Sequence, residues 1–253
     1  MSFVTAAGRR LDTRRIEPRD ADRPVLVFLH EGLGSIELWR DFPERVAEAT
    51  GCGALVYSRY GYGRSERLEG SRNPDYLHIE ALEALPQVLD AFGIREPVLI
   101  GHSDGASIAL ILAGSGLRPV RGAVVMAPHV FVEDITIAGI EEVRTAYRET
   151  DLAKRLGRYH DDPDGVFRGW NDAWLNPAFR SWNIEGFLPG IRCPLLAVQG
   201  IGDEYATLAQ IDAIERQTGG RFERLDLPDC RHTPHRDQPQ RTLDALRRFV
   251  ETL

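Results

Sequence analysis

The chain has 253 residues, which is ample for one sizeable α/β core and short for two full domains. Its formal net charge of −7 at pH 7 argues against nucleic acid or an anionic membrane as a partner. The cysteines Cys52, Cys193 and Cys230 are too widely spaced to indicate a zinc or redox site. Residues 1–10 have no apolar targeting segment, and no run of about 18 apolar residues follows, so we expect a cytoplasmic protein.

The first half of the chain alternates short apolar runs with helical patterns. Residues 2–7 and 11–17 flank a glycine and predict a hairpin at a sheet edge. Unbroken apolar runs, typical of strands buried on both faces of a parallel sheet, predict strands at 24–29, 53–57 and 98–100. Apolar residues at helical spacing predict helices at 38–50, at 76–92 and from residue 106 onward.

The second half interrupts this alternation and then resumes it. A strand is predicted at 121–127, and from 133 to 188 only two helical patterns occur, at 138–157 and 163–176. Strands at 194–199 and 221–227 follow, with helices at 207–217 and 238–252. This order predicts an α/β fold with a mostly parallel central sheet and helices on both faces. Residues 1–132 and 189–253 would form the core domain, and residues 133–188 a helical cap insertion.

A G-x-S-x-G sequence, Gly101-His102-Ser103-Asp104-Gly105, joins the strand at 98–100 to the next helix. The two glycines remove β-carbons that would collide in a sharp strand-to-helix turn, so this turn would present the Ser103 hydroxyl as a nucleophile. The free N–H groups at the start of the helix, that of Asp104 above all, would face negative charge developing at the serine.

A serine nucleophile needs a base and an acid that orients the base. Asp203 follows the strand at 194–199, and His232 follows the strand at 221–227. The carboxyl ends of parallel strands meet at one edge of the sheet, so both side chains would reach the rim that carries Ser103. The order serine, aspartate, histidine is that of the α/β-hydrolase triad.

Nearly the whole chain resembles the α/β-hydrolase superfamily. The resemblance rests on the serine turn and on four further segments, His30-Glu-Gly-Leu-Gly-Ser35, Gly61-Tyr-Gly-Arg-Ser65, Gly200-x-x-Asp203 and His232-x-Pro234. It implies a serine hydrolase with a helical cap over the active site. It also implies an oxyanion hole made by the N–H groups of Gly32 and Asp104. Where the family commonly has His-Gly, this chain has His30-Glu31.

Several side chains compete for these roles. His235 is the alternative base, and Asp134, after the strand at 121–127, is the alternative acid. Glu31 stands beside the expected oxyanion hole, where an unpaired negative charge would oppose the transition state, so we expect it to pair with an arginine such as Arg59 or Arg64.

The remaining candidate residues are histidines, tryptophans and one carboxylate. His129 would line the pocket, and Trp170 and Trp174 would share one face of a cap helix and contact substrate. We expect His30 and His102 to pack in the interior and His78 and His160 to lie at the surface. The Asp104 carboxylate would do no more than begin its helix favourably.

Together these patterns predict hydrolysis of an ester, thioester or related acyl bond of a small molecule, through an acyl-enzyme on Ser103. The reaction would need neither a cofactor nor a metal, and the sequence leaves a homo-oligomer open. A C–C bond hydrolase of ring-cleavage dienoates and a catalytically silent ligand-binding module are the alternatives. A dehalogenase is disfavoured, because the turn would then carry aspartate at position 103.

Overall fold

A computed structural model describes residues 2–253. Its single eight-stranded sheet has the order β1-β2-β4-β3-β5-β6-β7-β8. The strands are β1 (Ser2–Ala6), β2 (Arg9–Ile16), β3 (Val25–Leu29), β4 (Gly53–Tyr57), β5 (Val98–His102), β6 (Gly122–Met126), β7 (Leu195–Gly200) and β8 (Phe222–Leu227). The α/β-hydrolase fold predicted from the sequence is therefore confirmed.

The sheet is parallel from β4 to β8, whereas the β1–β2 hairpin adds to β4 in antiparallel fashion. The central strands β3, β5 and β6 are almost wholly buried, as their unbroken valine, leucine and isoleucine runs require. In register, Leu29 of β3 pairs with Gly101 of β5, and His102 of β5 pairs with Met126 of β6. The carboxyl ends of these strands thus meet at one rim.

Helices cover both faces of the sheet. The α-helices of residues 2–253 are α1 (Phe42–Thr50), α2 (Tyr76–Ile79), α3 (Leu85–Ala91), α4 (Asp104–Ser115), α5 (Asp134–Glu149), α6 (Leu152–Leu156), α7 (Pro163–Trp174), α8 (Ala209–Gln217), α9 (Pro234–Asp237) and α10 (Pro239–Glu251). Helices α1 and α10 pack their apolar side chains on one face. Helices α2, α3, α4 and α8 pack theirs on the other.

Two predicted helices are interrupted. Between α2 and α3 the chain makes a π-helical turn, Glu80–Ala84, so the predicted helix at 76–92 is continuous but not uniform. The predicted helix at 138–157 is instead two helices, because Thr150 leaves the helical conformation. The Thr150 hydroxyl donates to the carbonyl of Ala146 and accepts from the N–H of Leu152, which ends α5 and starts α6.

Residues 133–188, called the helical segment below, connect β6 to β7. This segment holds α5, α6 and α7, then the 3₁₀ turn Pro177–Ser181, and a second 3₁₀ turn, Glu185–Gly190, leads on to β7. A single bridge joins Phe131 to Asn183 at its base. Across residues 2–253, no helix combines the length and apolar character needed to cross a bilayer.

Candidate active site

Ser103 occupies a strained turn between β5 and α4. Its φ of 53° and ψ of −117° lie in a region that residues with a side chain rarely adopt. The turn holds because its neighbours have no β-carbon. One on Gly105 would overlap the carbonyl of Leu29, and one on Gly101 would overlap the carbonyl of Gly105. The strain is therefore imposed by the close fit of α4 against the ends of β3 and β5.

The structure brings Ser103, His232 and Asp203 together. The Nε2 atom of His232 lies 2.9 Å from the Oγ of Ser103, and its Nδ1 lies 2.8 and 2.9 Å from the two carboxylate oxygens of Asp203. A carboxylate can only accept, so Nδ1 carries the proton and Nε2 is free to accept from the serine. Gln199 Nε2 and the Tyr205 N–H also donate to Asp203, at 2.7 and 2.8 Å, and fix its orientation.

The electrostatics of the pair suit a base and its orienting acid. Burial would lower the pKa of His232, but the charge and hydrogen bond of Asp203 outweigh burial, so the pKa of His232 is raised above its ordinary value. Burial would raise the pKa of Asp203, yet the attraction of His232 lowers it below its ordinary value. Asp203 therefore stays ionised over the pH range in which His232 would gain a proton.

The two competing residues lie elsewhere. His235 is buried behind the site, where its ring packs 4.9 Å from Trp39 and 5.2 Å from Phe42, measured between centroids. Asp134 begins α5 with an exposed carboxylate that pairs with Arg180. Within residues 2–253, neither side chain hydrogen-bonds to Ser103 or to the ring of His232. Neither is therefore placed to act as the base or as the orienting acid.

The backbone around Ser103 offers free donors. The N–H groups of Gly32 and Asp104 make no hydrogen bond with any other group in residues 2–253, and both residues line the cavity in front of Ser103. The Gly32 backbone also lies against the indole of Trp170, which a β-carbon at position 32 would overlap. Glycine is therefore required where Trp170 closes over this loop.

The Asp104 side chain corrects the expectation that it only begins α4. Its carboxylate is fully buried and accepts from the Tyr76 hydroxyl at 2.6 Å and from Trp174 Nε1 at 3.2 Å. The guanidinium of Arg59, also buried, lies 3.4 Å away. A buried carboxylate must be paired and hydrogen-bonded, and these partners come from the β4 loop, α2 and α7. Asp104 therefore joins the helical segment to the serine turn.

The expected pairing of Glu31 with Arg59 is wrong. Arg59 Nη2 donates to the main-chain carbonyl of Glu31 at 2.9 Å, whereas Oε2 of the Glu31 carboxylate lies 3.5 Å from Nδ1 of His102. Burial would raise the pKa of Glu31, but the nearby His102 ring, with smaller effects of His30 and His235, holds it well below its ordinary value. Glu31 is thus an anion at the edge of the cavity.

A cavity of about 270 Å³ opens in front of Ser103, and its walls are mainly apolar. Besides Ser103 and His232, it is lined by Glu31, Gly32, Leu33, Asp104, His129, Thr136, Ile140, Val143, Leu152, Trp170, Trp174 and Tyr205. No lysine or arginine of residues 2–253 is among these lining residues.

The predicted substrate-contact residues His129, Trp170 and Trp174 all lie in these walls. The ring of His129 meets Trp174 edge to face with centroids 5.1 Å apart, and its Nδ1 is buried with no partner in residues 2–253. Burial, reinforced by the charge of His232, lowers the pKa of His129 to about 3. His129 is therefore a neutral ring whose Nδ1 is available for a hydrogen bond with a ligand.

Sequence reasoning placed His160 at the surface, and that expectation is wrong. His160 is buried, its Nδ1 accepts from the Gly63 N–H at 2.9 Å, and its Nε2 lies 3.0 Å from the Leu33 carbonyl. It therefore ties the helical segment to two loops of the core. The only signal was its place in the polar break between two helices. His78 is half-buried against the rings of Trp182 and Phe187.

His30 packs in the interior as expected. Its Nε2 accepts from the Arg59 N–H at 3.0 Å, and its Nδ1 lies 2.7 Å from the Glu31 carbonyl, so neither ring nitrogen is left unpaired. Within residues 2–253, no three histidine, cysteine or carboxylate side chains converge in the way that metal ligands do.

Comparison with known proteins places this geometry in context. A family model for the alpha/beta hydrolase family matches residues 26–245. The chain is similar to epoxide hydrolase B of Mycobacterium tuberculosis, with 27% identity over 217 residues that cover 83% of this chain and 57% of that protein. It is also similar to 2-succinyl-6-hydroxy-2,4-cyclohexadiene-1-carboxylate synthase of Salmonella paratyphi C, with 26% identity over 169 residues that cover 66% and 60%. The chain thus spans less than two thirds of the length of these curated relatives.

Solved structures agree on the architecture. Proline iminopeptidase from Mycobacterium smegmatis superposes with a TM-score of 0.78, covering 99% of this chain and 98% of that one, at 16% identity. At this level of identity the likeness concerns the fold and leaves the reaction to be argued from the site.

Proposed function

The chain belongs to the α/β-hydrolase family, and on that premise we propose that it is a serine hydrolase that cleaves a carboxylic ester or thioester of a small neutral molecule. The observation that carries the proposal is the continuous chain of hydrogen bonds from Ser103 through His232 to Asp203. A serine hydroxyl that donates to an imidazole, itself oriented by a carboxylate, is a nucleophile with its base in place.

The reaction would proceed through an acyl-enzyme. Ser103 Oγ attacks the acyl carbon while His232 Nε2 takes its proton, and Asp203 stabilises the imidazolium that forms. The N–H groups of Gly32 and Asp104, which are free to donate, would hold the oxyanion of the tetrahedral intermediate. His232 then returns the proton to the departing alcohol or thiol. Water, deprotonated by His232, attacks the acyl-serine and releases the acid and free Ser103.

The identity of the nucleophile separates this reaction from epoxide opening and dehalogenation. Attack of Ser103 on an epoxide carbon or a halogen-bearing carbon would leave an alkyl ether, which has no carbonyl for water to attack. A carboxylate at this position would instead leave an ester that water can cleave. Serine at position 103 therefore supports acyl chemistry, although one relative is named an epoxide hydrolase.

The charge of the cavity bears on the substrate. A dienoate carries a carboxylate, and such a group needs a cation to replace its hydration. The cavity walls offer Glu31 and no arginine or lysine from residues 2–253. Apolar side chains, among them Ile140 and Val143, supply most of the remaining surface. This environment favours an uncharged acyl group over the C–C hydrolase alternative.

The test uses the purified protein and a fluorophosphonate probe, with mass spectrometry to locate the label. We expect labelling at Ser103 and none in Ser103→Ala. Ser115→Ala, at the far end of the same helix, is the matched control and should label normally. Absence of labelling in the wild-type chain, or labelling that survives in Ser103→Ala, would contradict the proposal.

A second measurement addresses the substrate. Nitrophenyl butyrate and the corresponding thioester should be turned over, and Ser103→Ala should lower the rate on the order of 10⁴-fold or more. The nitrophenyl ester of succinic acid, which adds a free carboxylate to a similar acyl chain, should have kcat/KM lower by about tenfold or more, because nothing in the cavity pairs with it. Equal turnover of the two esters would refute the preference for neutral substrates.

A further inference from the structure

His102 is the last residue of β5 and directly precedes Ser103, yet its side chain contacts the loop of the base. It is 1% exposed, and its Nε2 lies 2.8 Å from the main-chain carbonyl oxygen of His232. A carbonyl oxygen can only accept, so Nε2 carries a proton and donates it. His102, which precedes the expected nucleophile Ser103, therefore holds the backbone of His232, the expected base, through a hydrogen bond.

The second ring nitrogen of His102 faces an anion. Its Nδ1 is 3.5 Å from the Glu31 carboxylate oxygen. Nδ1 makes no hydrogen bond within residues 2–253, so its contact with the Glu31 carboxylate is one of proximity. With Nε2 committed as a donor to the His232 carbonyl, Nδ1 is the ring atom that faces this carboxylate.

Three further rings pack on His102. The rings of His235 and His232 lie with centroids 5.1 and 5.3 Å away, and that of Trp39 lies 6.3 Å away. Burial, reinforced by His102, holds the pKa of His235 well below its ordinary value, so His235 is neutral. Among the described residues that contact His102, Glu31 is therefore the acidic one.

We propose that Glu31 and His102 form a second acid–histidine pair that positions His232 through its main chain. The pair joins the loop that carries Gly32 to the loop that carries His232. It therefore fixes the position of the expected oxyanion donor Gly32 relative to that of the expected base. It also holds the Glu31 carboxylate against the His102 ring at the edge of the cavity. His102 and Glu31 act as positioning residues, and their effect on turnover rests on the proposed serine hydrolase function.

Four variants test the pair by steady-state kinetics on one activated ester. His102→Phe removes the Nε2 donor and should lower kcat about 10- to 100-fold with KM changed less than about threefold, because a shift of the base by a fraction of an ångström is enough. His102→Gln keeps an amide N–H for the His232 carbonyl and should restore kcat to within about fivefold of wild type. Glu31→Gln should fall between these two.

His235→Gln is the matched control, since His235 belongs to the same buried cluster but makes no hydrogen bond to the His232 backbone within residues 2–253. It should keep kcat within about threefold, and circular dichroism checks that all four variants fold. Equal losses in His102→Phe and His102→Gln would overturn the proposal. A loss in His235→Gln as large as that in His102→Phe would do the same, because packing alone would then explain both.

A measurement without turnover separates this proposal from the proposed function. In histidine ring ¹⁵N spectra, assigned by the signal lost in His102→Gln, the Nε2 of His102 should carry a proton, because it donates to the His232 carbonyl. A His102 whose only ring proton is on Nδ1 overturns the pair, whether or not the protein cleaves esters. A His102 with its Nε2 protonated in a chain without esterase activity supports the pair while the proposed function fails.

Discussion

Replacing Ser103 by glycine should make the protein more stable than replacing it by alanine. Both variants lose the hydroxyl and its hydrogen bond to His232, so their difference isolates the backbone. At a φ of 53° and ψ of −117°, a residue with a β-carbon bears strain of about 1–3 kcal/mol, and glycine bears almost none. Glycine loses about 0.4–1 kcal/mol more conformational entropy on folding. The balance favours Ser103→Gly by about 1 kcal/mol.

Urea unfolding of the two variants measures this difference through their midpoints at equal slope. The matched comparison uses Ser107, one turn into α4, where the backbone is helical. There glycine should be less stable than alanine by about 1 kcal/mol, so the sign of the effect reverses within one helix. If glycine at position 103 is no more stable than alanine, the turn is not strained and the reasoning from its dihedral angles fails.

Three further predictions concern the buried charges of the site. Asp203→Asn should lower kcat by roughly 10²–10⁴-fold with little change in KM, whereas Asp134→Asn should change kcat less than about tenfold, measured on one activated ester with circular dichroism as the folding check. Burial lowers the pKa of His232, but the effect of Asp203 is larger and opposite, so the net pKa is raised. The value of kcat/KM should therefore increase with pH and reach half of its maximum above about pH 6.5, and this midpoint should move to lower pH in Asp203→Asn. A half-maximum that stays put would show that another group controls the profile. Asp104→Asn leaves the buried Arg59 charge without this carboxylate and should lower the free energy of unfolding in urea by about 3–5 kcal/mol. A decrease below about 1 kcal/mol would mean that the carboxylate is not the counter-charge of Arg59.

Patterns along the chain were enough to predict the fold. Strand positions followed from short runs of valine, leucine and isoleucine, because a strand buried on both faces leaves little choice of residue. The order of the elements then determined which loops reach the rim that bears Ser103. The candidate triad could be proposed by this route, since each member lies within five residues of the end of a predicted strand.

What the sequence left out are contacts between distant residues. Trp174 and Asp104 are 70 positions apart, and His102 and the His232 carbonyl are 130 apart. No periodicity relates such pairs, because they depend on how α7 and the loop after β8 pack on β5. Polar side chains near a buried rim find partners across elements, so local reasoning placed His160 outside and treated the Asp104 carboxylate as a helix start.

The residues that line the cavity differ in whether they are hydrogen-bonded to the serine turn, and this difference matters for protein engineering. Trp174 is bonded to Asp104, so changing it disturbs the turn that holds the nucleophile. Val143 on α5 and Leu152 on α6 line the same cavity with half-buried, apolar side chains that have no hydrogen bonds to lose. On the proposed function, randomising these two positions should change which acyl groups fit, because both side chains line the cavity and neither takes part in the hydrogen bond between Trp174 and Asp104.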